Sequence, residues 1–169
     1  MNYKMNVISM HLNLDVATGG IDQSLATALG GKEFEILDPL FDGVGYGRLF
    51  KIQPTKLKDF VNNAKKQLNT QKVITYGNKN AEIKSVASFC GGGSSHAESQ
   101  VKKGVAPDLV VTSDMPHHVL KYLIEKNISV MIITHYASEN YGFKKFFDHI
   151  EKTLNGKSTV YYYNDERFN

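Results

Sequence analysis

VMIITHYASE, residues 130–139, decides how the chain folds. Val130 to Ile133 form an unbroken apolar run rich in β-branched side chains, the pattern of a strand buried on both faces. His135 falls where that strand leaves the sheet. The spacing of Phe143, Phe146, Phe147 and Ile150 predicts a helix beginning shortly after Tyr136,. Glu139 then lies in or near its first turn and points back towards His135, so a nitrogen and an oxygen ligand converge at one sheet edge.

Working outward, the same grammar repeats. Asp108 to Thr112, DLVVT, reads as another buried strand. Ser113, Asp114, Met115, Pro116, His117 and His118 follow, then a helix carrying Val119, Leu120, Leu123 and Ile124,. The helix after His135 continues to Leu154, closes at Asn155-Gly156, and is expected to hand over to a last strand, Thr159 to Tyr163,. Upstream, Val73 to Tyr76 and Ile83 to Cys90 read as strands joined by the polar turn GNKNAE, which predicts a hairpin or meander,. Gly91, Gly92, Gly93, Ser94 and Ser95 separate the second of these from a short helix with Ala97 and Val101. Two readings compete there: backbone N–H groups that favour an anion, or a tight turn whose serines cap the helix.

Pro54 to Leu68 has the clearest helical stripe, with Leu57, Phe60, Val61, Ala64 and Leu68 on one face and Pro54 in the first turn,. GVGYGRLF, residues 43–50, is either a phosphate loop or a strand with a glycine-permitted bulge or close approach. The strand is favoured because no P-loop lysine follows,. Lys32 to Leu37 predicts a strand broken by Asp38-Pro39, and Asp22 is placed to cap a helix with Ile21, Leu25 and Leu29 that ends at Gly30 and Gly31,. Met5 to Leu12 reads as a strand starting almost at the first residue,. The expected fold is α/β, a mixed β-sheet flanked by helices, in one domain spanning residues 1–169,.

With 20 basic against 17 acidic residues and a net charge of +3, the surface is mixed and lacks the concentrated basic footprint of a dedicated nucleic-acid binder,. The lone Cys90 forms no internal disulfide,. No apolar stretch approaches the roughly 18 residues of a membrane span, and no basic-then-apolar leader opens the chain. A soluble cytoplasmic protein is expected, with no membrane partner.

His11 with Asp15, Asp114 with His118, and His135 with Glu139 each set a histidine and a carboxylate four residues apart where an apolar run stops. One such pair alone is more often a capped turn with a hydrogen-bonded histidine. Three at strand ends can meet in one cleft, where imidazole and carboxylate suit Zn, Mn, Fe or Co. His96 and His149 are assigned to solvent or structure.

HLNLD at 11–15, GVGYGRL at 43–49, FCGGGSS at 89–95, TSDMPHH at 112–118 and THYASE at 134–139 stand in an order that resembles NIF3-like proteins, also called the DUF34 or GTP cyclohydrolase I type 2 homologue family. The resemblance implies an α/β fold, assembly into a hexameric ring, and a two-metal centre. It places Asp15, His135 and Glu139 as metal ligands, with Asp114, His117, His118 and His11 lining the same cleft. His118 or His11 would act as general acid or base, and Gly91 to Ser95 would cradle the phosphate of a nucleotide-like substrate. The family's adjacent-histidine motif, which precedes the HLNLD-like segment, has no counterpart here, and Ser113 stands where glycine is usual. The chain is therefore expected to be a truncated form, the middle and C-terminal part of the family fold. The resemblance implies a metal-dependent hydrolase or cyclohydrolase. The alternative is a non-catalytic oligomeric scaffold, or a module binding protein or nucleic acid, with an incomplete metal site.

Overall fold

The computed structural model describes residues 5–169. In chain order the elements are α1 (Leu12–Asp15), α2 (Ile21–Ala28), β1 (Glu35–Phe41), β2 (Val44–Lys56), α3 (Leu57–Gln67), β3 (Val73–Tyr76) and β4 (Glu82–Ser88). They continue with α4 (Ser94–Lys102), β5 (Leu109–Thr112), α5 (His117–Glu125), β6 (Ser129–Ile133) and α6 (His135–Leu154). The strands form one mixed sheet in the order β1-β2-β4-β5-β6-β3. β4, β5 and β6 run parallel, while β1, β2 and β3 pair antiparallel to their neighbours. The α/β class and the mixed sheet are as the sequence predicts.

β5 is buried at every position, so both faces of the sheet are covered. α4 packs on α5, and α2 packs on α6 and β2; these pairs supply the cover. Leu25, Val86, Phe89, Leu109, Val110, Val111, Leu123 and Val130 are completely buried in one continuous core.

Several local expectations are corrected. Residues 5–10 join no strand among the described residues, and Leu12 begins a helical turn. Val7 and Ile8 are 76% and 83% exposed; an apolar alternation makes a strand only where a ladder edge receives it. β1 runs through Asp38-Pro39 instead of stopping, because it is an edge strand whose register slips between Pro39 and Phe41, and an edge tolerates the missing N–H. β2 likewise absorbs Pro54 at its irregularity between Lys51 and Thr55, so α3 starts at Leu57. Glycine there serves close approach: a Cβ on Gly45 would stand 2.5 Å from the Asp38 carbonyl oxygen.

β3 and β4 are not a hairpin. β3, with mostly exposed side chains, forms the far edge against β6, and β4, whose Val86 and Ala87 are buried, lies between β2 and β5. Burial and not sequence adjacency sorts the two. Residues 159–163 form no strand; Tyr162 lies instead on α6, its ring 5.2 Å from that of Phe147. At α2, Gly20 is the N-cap, and Asp22 points into the core. Its end is as expected, with Gly30 in the left-handed region and Gly31 N–H bonded to Ala26 O,.

Asp108 joins β4 to β5. One carboxylate oxygen accepts from the N–H groups of Lys84 and Ser85 at 2.8 and 2.9 Å and from the Ser85 hydroxyl at 3.0 Å. Burial pulls its pKa up, but these bonds outweigh it and hold the carboxyl below the usual 3.8. Asp108→Ala is therefore expected to cost about 2 kcal/mol of unfolding free energy near neutral pH. A depressed folded pKa contributes stability that is complete above 3.8 and lost as pH falls through the folded value,. In denaturation curves the gap between wild type and variant closes in acid.

Candidate functional site

Because β4, β5 and β6 are parallel, their carboxyl ends meet at one sheet edge, where ligand sites of open α/β sheets gather,. Three loops leave there and are clipped together. Gly91 O accepts from Ser113 N–H and from the Thr112 hydroxyl, each at 3.2 Å, and the Ser113 hydroxyl reaches Thr134 O at 3.4 Å. Thr134 caps α6, its hydroxyl accepting from Ala137 N–H at 3.0 Å,. The helix thus starts at His135, slightly earlier than the spacing predicts, and one turn carries the chain to Glu139.

That turn sets Glu139 Oε1 3.1 Å from His135 Nε2. The other ring nitrogen, Nδ1, lies 2.9 Å from Asp114 Oδ2. Asp114 thus partners His135 from the end of β5, not the His118 four residues further along. Asp15, buried on α1, completes a cavity of about 300 Å³ with His135, Glu139, His11, His96 and Gly91 among its walls.

The electrostatics favour a cation. Desolvation raises the carboxyl pKa of Asp15 and of Glu139, and the Asp15 charge pushes Glu139 further up, against the lowering pull of His135 and His11. At His135, burial works downward, but the Asp114 bond and the Glu139 charge win and raise its pKa. Two half-desolvated carboxylates facing one cavity are relieved by positive charge.

Two donors each about 2.1 Å from one ion stand about 3 Å apart when the angle between them is near 90°, and Nε2 and Oε1 are separated by 3.1 Å. A carboxylate on the remaining ring nitrogen is the usual means of orienting a metal-ligating histidine. The donors fit in chemistry and, for this pair, in spacing. Among the described residues no three histidine, cysteine, aspartate or glutamate side chains form a group that could hold an ion; Asp15 lines the same cavity without joining the pair.

Beneath the cavity lies an ion pair that the sequence reading missed. Asp22 and Arg48 are 0% and 2% exposed, with Nη1 to Oδ2 at 3.0 Å. Arg48 also donates to Gly45 O and Gly47 O, and Asp22 Oδ1 accepts from Cys90 N–H at 3.1 Å. Burial pushes the Asp22 carboxyl up to about 7, against Arg48 and the N–H groups of Cys90 and Gly47. The Tyr46 hydroxyl donates to Cys90 O. The signal was an arginine inside an apolar strand, GYGRLF, and an aspartate on the apolar face of α2.

Of the other predicted residues, His11 lines the cavity, exposed at the start of α1. His117 and His118 sit exposed in the first turn of α5 and are not among this cavity's walls. Gly91 and Gly92 form its floor. The loop turns two N–H groups inward, Gly91 to the Ser138 hydroxyl at 2.9 Å and Gly93 to Thr112 Oγ1 at 3.2 Å. Ser94 is buried and Ser95 exposed. His96, assigned to solvent or structure, faces the same cavity with Nδ1 2.6 Å from Asp38 Oδ2. His149 is exposed on α6, beside a different cavity.

Gly91 has φ +56°, and a Cβ there would stand 2.9 Å from Glu139 Oε1 and 3.0 Å from His135 Nε2. Gly91→Ala is expected to lose about 1–2 kcal/mol of stability from the left-handed backbone and to push the two donors apart. Thermal unfolding and divalent-ion titration of the variant check both effects.

A family model described as Duf34/NIF3 (NGG1p interacting factor 3) matches residues 1–166. The chain is 30% identical over 139 residues to a GTP cyclohydrolase 1 type 2 homolog of Clostridium acetobutylicum, covering 80% of this chain and 51% of that protein. It is 26% identical over 147 residues to a protein of the same name from Methanocaldococcus jannaschii, covering 86% and 57%. The chain thus spans about half the length of these curated relatives. In fold it is similar to a Bacillus cereus protein related to NIF3, with a TM-score of 0.78 at 15% identity over 92% of this chain and 71% of that one.

Proposed function

Since the chain belongs to the DUF34/NIF3 family, we propose that it binds a divalent metal through His135, Glu139 and Asp15 and hydrolyses, or opens a ring of, a phosphate-bearing, nucleotide-like small molecule. The observation that carries this reading is the paired engagement of His135, with Glu139 on Nε2 and Asp114 on Nδ1. A divalent ion there supplies Lewis acidity. Asp114 holds the ring orientation and raises the basicity of Nε2. His11, on the cavity wall, is the residue placed to move a proton at the substrate; His118 stands outside that wall. The cyclohydrolase part of the reading is supported by the names of the relatives.

Elemental analysis tests it. Purified protein is expected to take up Zn, Mn, Fe or Co at micromolar concentration, and a protein that takes up none sinks the reading. GTP turnover with release of formate from the metal-loaded protein tests the reaction.

A second reading, a binding module without catalysis, is favoured by the absence of a ready three-donor group among the described residues. We also propose a homo-oligomer, since Met5, Val7 and Ile8 present large apolar side chains that ask for cover,. Light scattering reads the assembly size.

A further inference from the structure

We propose that the cavity between α6 and the C-terminal segment 162–165 is the ring-binding half of the cleft, and that it takes a nucleobase, a planar nitrogen heteroaromatic ring. This rests on reading the Asp15, Glu139 and His135 cleft as the reaction site.

The cavity holds about 280 Å³ and has aromatic walls, Tyr136 and Phe143 from α6 and Tyr162 and Tyr163 from the segment beyond it. Asn140 and Asn164 also line it. Tyr162 lies 5.9 Å from Phe143 and 5.2 Å from Phe147 between ring centres. The Tyr162 hydroxyl donates to Asn140 Oδ1, and the Tyr136 hydroxyl to Asn164 Oδ1. The segment is thus fastened to the helix at both amides.

His11, Asp15 and Glu139 line both this cavity and the one that contains His135. The two are halves of a single cleft with the carboxylates at the join. A ring held among the tyrosines therefore presents its edge to the atoms that the proposed reaction uses.

The chemistry selects a base. Asp15 and Glu139 line this half, and their charge opposes a phosphate there; Asp165, also on the wall, is paired with Arg167. Aromatic side chains stack on any base, and amide groups read hydrogen-bonding edges as they do with unstacked bases. A saturated ligand offers the aromatic walls no π-face to stack on.

Calorimetric titration with guanosine as the probe and ribose 5-phosphate as the ringless control, on metal-free and Mn-loaded protein, tests the proposal. Guanosine is expected to bind with a Kd below a millimolar and ribose 5-phosphate more weakly. Tyr162→Ala is expected to weaken guanosine by about tenfold or more, and Tyr162→Phe less, since its ring remains. Tyr163→Ala, which breaks none of the bonds fastening the segment, is expected to weaken it as well. Equal binding of the two probes, or guanosine affinity unmoved by Tyr162→Ala and Tyr163→Ala, overturns the proposal. So does metal uptake without guanosine binding, which leaves the metal reading standing. Guanosine binding sensitive to these variants in a protein that takes up no metal upholds the ring site and removes the metal reading instead.

Discussion

His135→Ala is expected to abolish uptake of the divalent ion while leaving the fold intact. The side chain is half exposed and its ring sits outside the core, so circular dichroism and the unfolding midpoint should hardly move. What disappears is the only nitrogen donor at ligand spacing from Glu139 among the described residues. Asp114→Asn provides the graded control. It keeps the shape but removes the charge that orients Nδ1, and the loss of such an outer partner costs about 10–100-fold in metal affinity. Competition against a chelator orders the proteins: wild type tightest, Asp114→Asn weaker, His135→Ala without measurable binding. If His135→Ala retained wild-type affinity, any bound ion would lie elsewhere, and the assignment of this cavity would fail.

Asp22→Ala is expected to be among the most damaging single changes to the fold, at about 3–5 kcal/mol. Arg48 would remain 2% exposed with its carboxylate partner gone, and Cys90 N–H would lose its acceptor. Breaking a buried pair from one side leaves an uncompensated charge, whereas replacing both sides with apolar groups of similar volume often restores stability. Asp22→Leu combined with Arg48→Met is therefore expected to recover most of the loss in urea denaturation. A double variant as unstable as the single one would show that the pair's bonds to the Gly45, Gly47 and Cys90 backbone matter more than the charge balance.

Much of the fold was legible because burial on both faces writes itself as continuous apolar runs. DLVVT and the run ending at Ile133 became β5 and β6, and the helices after them began near the histidines, as the spacing requires. Antiparallel partners were less legible. VITY and the strand that follows it are neighbours in sequence but belong to opposite flanks of β5 and β6, and a polar turn between two runs does not say whether they pair. Thr159 to Tyr163 has the β-branched and aromatic composition of a strand, yet the Tyr162 ring is held by α6 aromatics instead of a sheet edge,. At the site, the i, i+4 spacing found Glu139 and His135 because a helix turn determines it. Asp114 was placed in the cleft but with the wrong histidine, since its true partner comes from another strand end 21 residues away. Asp22 was mistaken for a cap because a carboxylate near a helix start has the same sequence signature whether it faces solvent or core.

The glycine loop carries a consequence for exchange with solvent. Gly-rich segments at a sheet edge ordinarily trade their amide protons within the fastest class of a protein. Here the Cys90 amide is held by a carboxylate inside the core, and the Gly91 amide by a hydroxyl of α6. Neither can open to water without separating Asp22 from β4's end or lifting α6 from the sheet. The Cys90 and Gly91 amides are therefore expected to exchange far more slowly than those of an open glycine loop, while the exposed Gly92 beside them stays in the fast class,.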